Sequence, residues 1–396
     1  MDLSFDRDAA IARLMEFLAV PGVTGQEAAI GVAVEKALRA VGVPAPAISR
    51  DDANTRIPLP TQTGNLIVRL PGTLYEGRRL FSTHLDTVPL CAGAVPVRKG
   101  DRIVPQGKTA LGGDNRTGVA CLVTLAATLI EKKLPHPPIT LLFTVREESG
   151  LWGARFAQID DLGDPWFGFN VDGGSPRQLT LGAVGADRWE VEIFGKAAHA
   201  GVHPERGISA TMVAAVALAK IQKDGWFGKI KKGKLEGTSN IGPFGDAEGK
   251  CAGQATNVVT DYVRIQGESR SHDAKFVSAI TKAYSEAFKI AAKMVVDAEG
   301  NMAKVKLTPR RDYHPFRIKE TAKVVRVAQA AATRAGWQPE LRVTNGGLDA
   351  NWLTRNGIPT LTFGAGQNNV HTIDEFVNLD DFLEGCRFAL ALATQV

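Results

Sequence analysis

"LFSTHLDT", residues 80–87, decides the fold. Its first four residues form a short apolar-to-small run with strand character, and His84 and Asp86, two apart, point the same way in an extended chain. A strand that delivers a histidine beside a carboxylate suits a metal site, because a ligating imidazole needs its second nitrogen held by a carboxylate or carbonyl. Asp86 fits either role, ligand or partner of His84. Alone, the pair equally describes a satisfied structural contact, so the flanking sequence has to decide.

Upstream, residues 7–18 and 26–41 carry helical apolar spacing on either side of the turn "PGVTG", and 64–70 ("GNLIVRL") reads as a strand. Downstream, "LGGDNRTG" (111–118) introduces an apolar run, 119–130, that predicts a buried helix. Asp114 then precedes a helix N-terminus, either as an N-cap or as a ligand on the favourable side of the helix dipole. Residues 139–145, "ITLLFTV", predict a central strand that ends in Arg146, Glu147 and Glu148. Adjacent glutamates point in different directions, which leaves one to ligate a metal and the other to face a bound water. Residues 167–171 form another short strand, ending in Asp172. Three strands thus each end in a ligand-type residue, at the edge where open α/β sheets build their sites.

The pattern changes near Gly185. "DRWEVEIF" alternates like a half-exposed antiparallel strand, 208–221 is a helix, "ATNVVTDYVRIQGES" alternates again, 272–294 is a long amphipathic helix and 303–308 a strand. This predicts an inserted α+β two-layer sandwich over 185–311, between two parts of one α/β domain with a mostly parallel central sheet, 1–184 and 312–396. The second part ends with a strand at 358–363, the loop "GAGQNNVHTIDEF" carrying His371, and a helix at 379–393. Two look-alikes fail. "GKT" at 107–109 lacks the glycine of a phosphate loop, since Arg102 stands there, and "GAGQNN" has Asn369 where a dinucleotide fingerprint needs its third glycine.

At 396 residues the chain is long enough for two domains, and its net charge of +5 is small and dispersed. The one basic run, "KIKKGK" (229–234), reads as a solvated loop between glycines, so no nucleic-acid partner is expected. Four well-separated cysteines suggest free thiols in a reducing compartment. The start "MDLSFDRDAAI" is acidic where a secretory signal is basic, and no apolar run reaches the ~18 residues of a membrane span. A cytoplasmic protein without a membrane partner is the expectation.

Collected, the ligand-type residues are His84, Asp114, Glu148, Asp172 and His371. Two histidines and three carboxylates satisfy two divalent ions if one carboxylate bridges them, and the mixed nitrogen and oxygen set without cysteine suits Zn2+, with Co2+ or Mn2+ as replacements.

"THLDTV", "GKTALGGDNRTG", "TVREESG", "NVDGG", "GKAAHAGVHPERGISA", "TNVVTD" and "NNVHTIDEF", in this order, resemble the peptidase T branch of the dinuclear zinc exopeptidases, which include aminoacylases and glutamate carboxypeptidases. The resemblance covers nearly the whole chain. It implies a phosphorylase/hydrolase-like catalytic domain with an inserted lid and dimerisation domain, and hydrolysis of short peptides by a hydroxide held between two zinc ions. By the resemblance, His84 and Asp172 bind one zinc, Glu148 and His371 the other, and Asp114 bridges. Glu147 is then the general base, Asp86 the partner of His84, and the peptide after Asp114 is cis. His199 would donate to the oxyanion, often from the partner subunit of a homodimer, Asn257 would contact substrate, and Arg270 would grip a peptide carboxylate. One departure is Asn345 before "GGLD", where many peptidase T sequences have arginine, and it bears on tripeptide preference. The implied activity is a di- or tripeptide aminopeptidase. An N-acyl amino acid amidohydrolase or carboxypeptidase of the same family, and a non-catalytic binding protein on this scaffold, are the alternatives.

Overall fold

Strand Arg79–His84 lies inside a mixed sheet in the computed structural model, which describes residues 2–253 and 255–395. Two units are distinguished: one runs to Ala183 and takes up residues 317–344 and 348 onward, the other holds 184–316 with 345–347. In the first unit the sheet order is Ile48–Arg50, Leu66–Leu70, Ile139–Thr144, Arg79–His84, Phe167–Val171, Thr360–Phe363 and Gln178–Ala183, with Glu340–Thr344 beside the last. The four inner strands run parallel, and every residue in them is buried. Burial on both faces is what unbroken apolar runs such as "ITLLFT" encode, in contrast to the alternation of a one-sided sheet.

Register explains why the site forms. His84 lies opposite Thr144, Ser82 opposite Asn170, and Phe363 opposite Val171, so four carboxyl ends share one edge of the sheet. Helix Gly113–Glu131 packs on strand Arg79–His84 and against helices Arg7–Ala19 and Leu379–Thr394. It is apolar on nearly every side, as a helix enclosed by other elements must be. Its first turn is irregular: Asp114 and Asn115 have non-helical dihedral angles, and the peptide between them is cis. Gly118 permits a close approach, since a Cβ there would meet Thr83 Oγ1 and lie 2.6 Å from Asn115 Oδ1 and from the Val171 carbonyl oxygen.

A small four-stranded sheet, unannounced by any hydrophobic pattern, orders Gln367–Asn368, Phe376–Asn378, Arg102–Pro105 and Pro96–Lys99. Its strands are two to four residues long, too short for periodicity to register.

The second unit is a five-stranded antiparallel sheet in the order Gly228–Lys232, Leu235–Gly245, Tyr262–Ser271, Gly185–Phe194, Lys304–Tyr313, with helices Ala210–Lys223 and Ala274–Met294. Its core joins Trp189, Val191 and Ile193 to Phe276, Ile280, Tyr284 and Phe288. Here the sequence expectation for "KIKKGK" needs correcting. Lys229 to Lys232 belong to an edge strand paired with Leu235–Gly245, and only Gly233 and Lys234 form the turn. Ile230 points inward while its lysine neighbours stay in solvent, a pattern that also protects an open sheet edge.

Candidate active site

His84 closes its strand and is almost fully buried. Its Nδ1 lies 3.0 Å from the Asp86 carbonyl oxygen and 3.4 Å from Asp86 Oδ1, while Nε2 lies 3.1 Å from Asp114 Oδ1 and 3.9 Å from Asp172 Oδ1. Asp86 also accepts the backbone N–H groups of Glu147, at 3.0 Å, and Glu148, at 3.2 Å. One buried carboxylate therefore fixes both the imidazole and the loop that follows the neighbouring strand.

Asp114 stands between the two histidines, one oxygen toward each, with Oδ2 3.3 Å from His371 Nε2. The same His371 nitrogen is 2.9 Å from Glu148 Oε1. Ligand atoms of His84, Asp114 and Glu148 all lie within 4.8 Å of one another. The distances thus sort the five predicted residues into a His84 and Asp172 side and a His371 and Glu148 side, with Asp114 in the middle. His371 has φ +63°, in the left-handed region, on the loop between strands Gln367–Asn368 and Phe376–Asn378 of the small sheet. That sheet aims a histidine carried far along the chain.

The electrostatics are those of crowded anions. Burial, reinforced by the Asp114 carboxylate, pushes Glu148 up to about 7 and Asp172 up to about 6. Glu147 is driven well above the usual carboxylate range by burial, and Asp172, Glu148 and Asp349 add to the rise. Hydrogen bonds to Asp114 and Glu148 raise His371 to about 10. His84 is raised as well: burial opposes its charge, and contacts with Asp114 and Asp86 overcome that opposition. Asp114 is held far below the ordinary range, its burial outweighed by the hydrogen bonds from His371 and His84. Three carboxylates and two imidazoles converging in this way fit a pair of divalent cations. Cations would take the place of the protons that the crowding otherwise demands.

Four further residues support the site. Glu375 is buried and accepts the N–H groups of Leu111 (2.7 Å), Gly112 (2.8 Å) and Asp114 (3.0 Å). Gln367 donates from Nε2 to Asp172 Oδ1 (3.2 Å) and accepts from Thr117 Oγ1 (3.1 Å). Glu27 accepts the N–H groups of Gly25 (2.6 Å) and Arg146 (3.1 Å), and burial pushes it up to about 7. Asp349 accepts from Thr144 Oγ1, and burial pushes it up to about 7. Sequence offered one signal for these, the placement of Glu375 inside "NNVHTIDEF" beside His371.

The remaining predicted residues lie in the second unit. His199 and Asn257 are exposed and adjacent: His199 bridges Val258, and Ala200 N–H donates to the Asn257 carbonyl at 2.9 Å. Arg270 is half-buried and paired with Glu268 through two contacts of 2.9 Å each. Asn345 accepts from His272 Nε2 at 3.1 Å.

Residues 80–395 match the model of peptidase family M20/M25/M40. The chain belongs to this family. Among its relatives, the uncharacterized protein YqjE of Bacillus subtilis is 33% identical over 330 residues, 83% of this chain and 84% of that one. The crystal structure of aminopeptidase PepT from Bacillus cereus superposes with a TM-score of 0.84 at 31% identity, covering 99% of both chains. A tripeptidase from Staphylococcus aureus gives 0.87 at 26% identity over 98% of both. The fold class, with its inserted antiparallel domain, is that of the M20 peptidases, and the activity class is metal-dependent peptide hydrolysis. No helix among the described residues is long and apolar enough to cross a membrane.

Proposed function

We propose that the chain is an aminopeptidase for di- and tripeptides that works with two divalent metal ions, most simply Zn2+. The observation that carries this reading is Asp114, whose two oxygens face two different histidines, each with its own second carboxylate. On this proposal His84 and Asp172 hold one ion, His371 and Glu148 the other, and Asp114 both. When bound, such a pair acidifies a water and polarises the scissile carbonyl.

The chain's own residues supply the rest. Glu147 sits beside the ligand Glu148, its backbone pinned by Asp86, and burial raises the proton affinity of its carboxylate, which suits a group that accepts a proton during the reaction. It is the proposed general base: it takes a proton from the attacking water and hands it to the departing amine nitrogen. His199, Asn257 and Arg270 are the proposed substrate contacts, with His199 as donor to the oxyanion. For Arg270 to grip a peptide carboxylate, it must exchange its pairing with Glu268. A homodimer through the inserted unit, serving as lid, and a reducing cytoplasmic setting complete the proposal. The free state of Cys91, Cys121, Cys251 and Cys386 supports the latter.

Assay of unblocked di- and tripeptides beside their N-acetylated forms, with metal content measured on the same sample, tests the reading. Release of the N-terminal residue from unblocked peptides alone is expected. Turnover of the acetylated series instead would move the chain to the amidohydrolases, release of C-terminal residues would move it to the carboxypeptidases, and no turnover by metal-loaded protein would favour a binding role.

A further inference from the structure

The turn at residues 111–114 carries the carboxylate on which the proposed metal pair depends, and its backbone N–H groups are held from far along the chain. Glu375, more than 260 residues further on, gathers three of its N–H groups with one carboxylate: Oε2 accepts from Leu111 and Gly112, Oε1 from Asp114. The turn is shaped for this approach. Gly112 has φ +81°, and a Cβ on Gly113 would lie 2.8 Å from Val377 Cγ2 and 3.2 Å from Glu375 Oε1. Glu375 is itself anchored, since the next residue begins strand Phe376–Asn378, which pairs with both Gln367–Asn368 and Arg102–Pro105.

We propose that Glu375 is a positioning residue: it fixes the Asp114 backbone so that the two side-chain oxygens meet His84 and His371 together. The inference rests on the metal-peptidase reading above. Glu375 touches none of the five ligand side chains in the contacts described and acts through the amide of Asp114. A purely structural cap would alter stability without altering the metal pair.

The test compares wild-type holoenzyme with Glu375→Gln and Glu375→Asp. Glutamine can keep one oxygen against Leu111 and Gly112 but turns an NH2 toward the Asp114 N–H, so it removes the contact that matters. Metal retention is read by dialysis against graded chelator, ligand geometry by the visible spectrum of the Co2+ form, and fold by circular dichroism. Glu375→Gln is expected to stay folded and to lose about 10- to 100-fold in affinity for at least one of two ions. Its Co2+ spectrum should change, and kcat should fall with KM little altered. Glu375→Asp should be intermediate and carries the test if the glutamine variant does not fold. Wild-type metal affinity and spectrum in a folded variant would overturn the proposal, as would loss of fold in both. Wild-type protein that binds no ion pair and cleaves no peptide overturns the proposed function itself and this inference with it.

Discussion

Glu147 and Glu148 share a loop, a neighbour in Asp86 and a buried setting, but only Glu148 reaches a histidine, at 2.9 Å from His371. Their substitutions should separate proton transfer from metal binding. Glu147→Gln is expected to lower kcat by about 10²- to 10⁴-fold, the usual worth of a general base, with KM and metal content unchanged. Glu148→Gln should lose metal together with activity, seen by elemental analysis of the purified protein. Equal metal loss in both would remove Glu147 from its assigned role. Of the five ligand-type residues, His84, Glu148 and Asp172 were legible because each follows an apolar strand, whereas Asp114 was marked by the start of an apolar helix and His371 by the loop after the last inner strand. Gln367 and Glu27 were not, and Glu375 was marked only by its place in "NNVHTIDEF", because all three grip backbone amides or a ligand carboxylate across up to 264 residues, and no local pattern names such a partner.

Among elements, the inner strands and the long helices were legible from their apolar runs, whereas the order of the strands and the small sheet under His371 were not. The lysine-rich edge strand resembles a solvated loop in sequence because the charges of Lys229, Lys231 and Lys232 mask a single inward Ile230. What sequence conceals most is the closeness of helix Gly113–Glu131 to the two strand ends it serves. Gly118 faces Thr83, which precedes His84, and the carbonyl of Val171, which precedes Asp172. Gly118→Ala would force the helix away from both. Overpacking of this kind costs about 1–3 kcal/mol, and contact with backbone places it at the upper end. A lowered urea midpoint, together with weaker metal retention, is expected. A loss of stability with wild-type metal retention would show that helix and ligands move independently.

For the molecule as a whole, the crowded cluster ties stability to pH, and metal should reverse the trend. Glu148 near 7 and Asp172 near 6, against ordinary values of 4.5 and 3.8, keep protons in the folded metal-free protein that the unfolded chain has released. His371, near 10 against 6.5, does the same at higher pH. In both windows the native state binds more protons, so these groups make the metal-free protein less stable as pH rises from about 4 to 10. Glu27 and Asp349, each near 7, add to the same slope. Asp114 has the opposite sign, but its window lies below pH 3.8. Divalent ions need these ligands deprotonated, so their binding strengthens along the same axis. The difference in Tm between metal-loaded and chelator-treated protein should therefore be wider at pH 8 than at pH 6. At a metal concentration about 100 times Kd, mass action contributes about 2.7 kcal/mol, which corresponds to a Tm shift of about 3 °C for a chain of this length. A gap that stays constant or narrows between pH 6 and 8 would mean that the protons of this cluster are not what the metal displaces, and that the ions bind elsewhere.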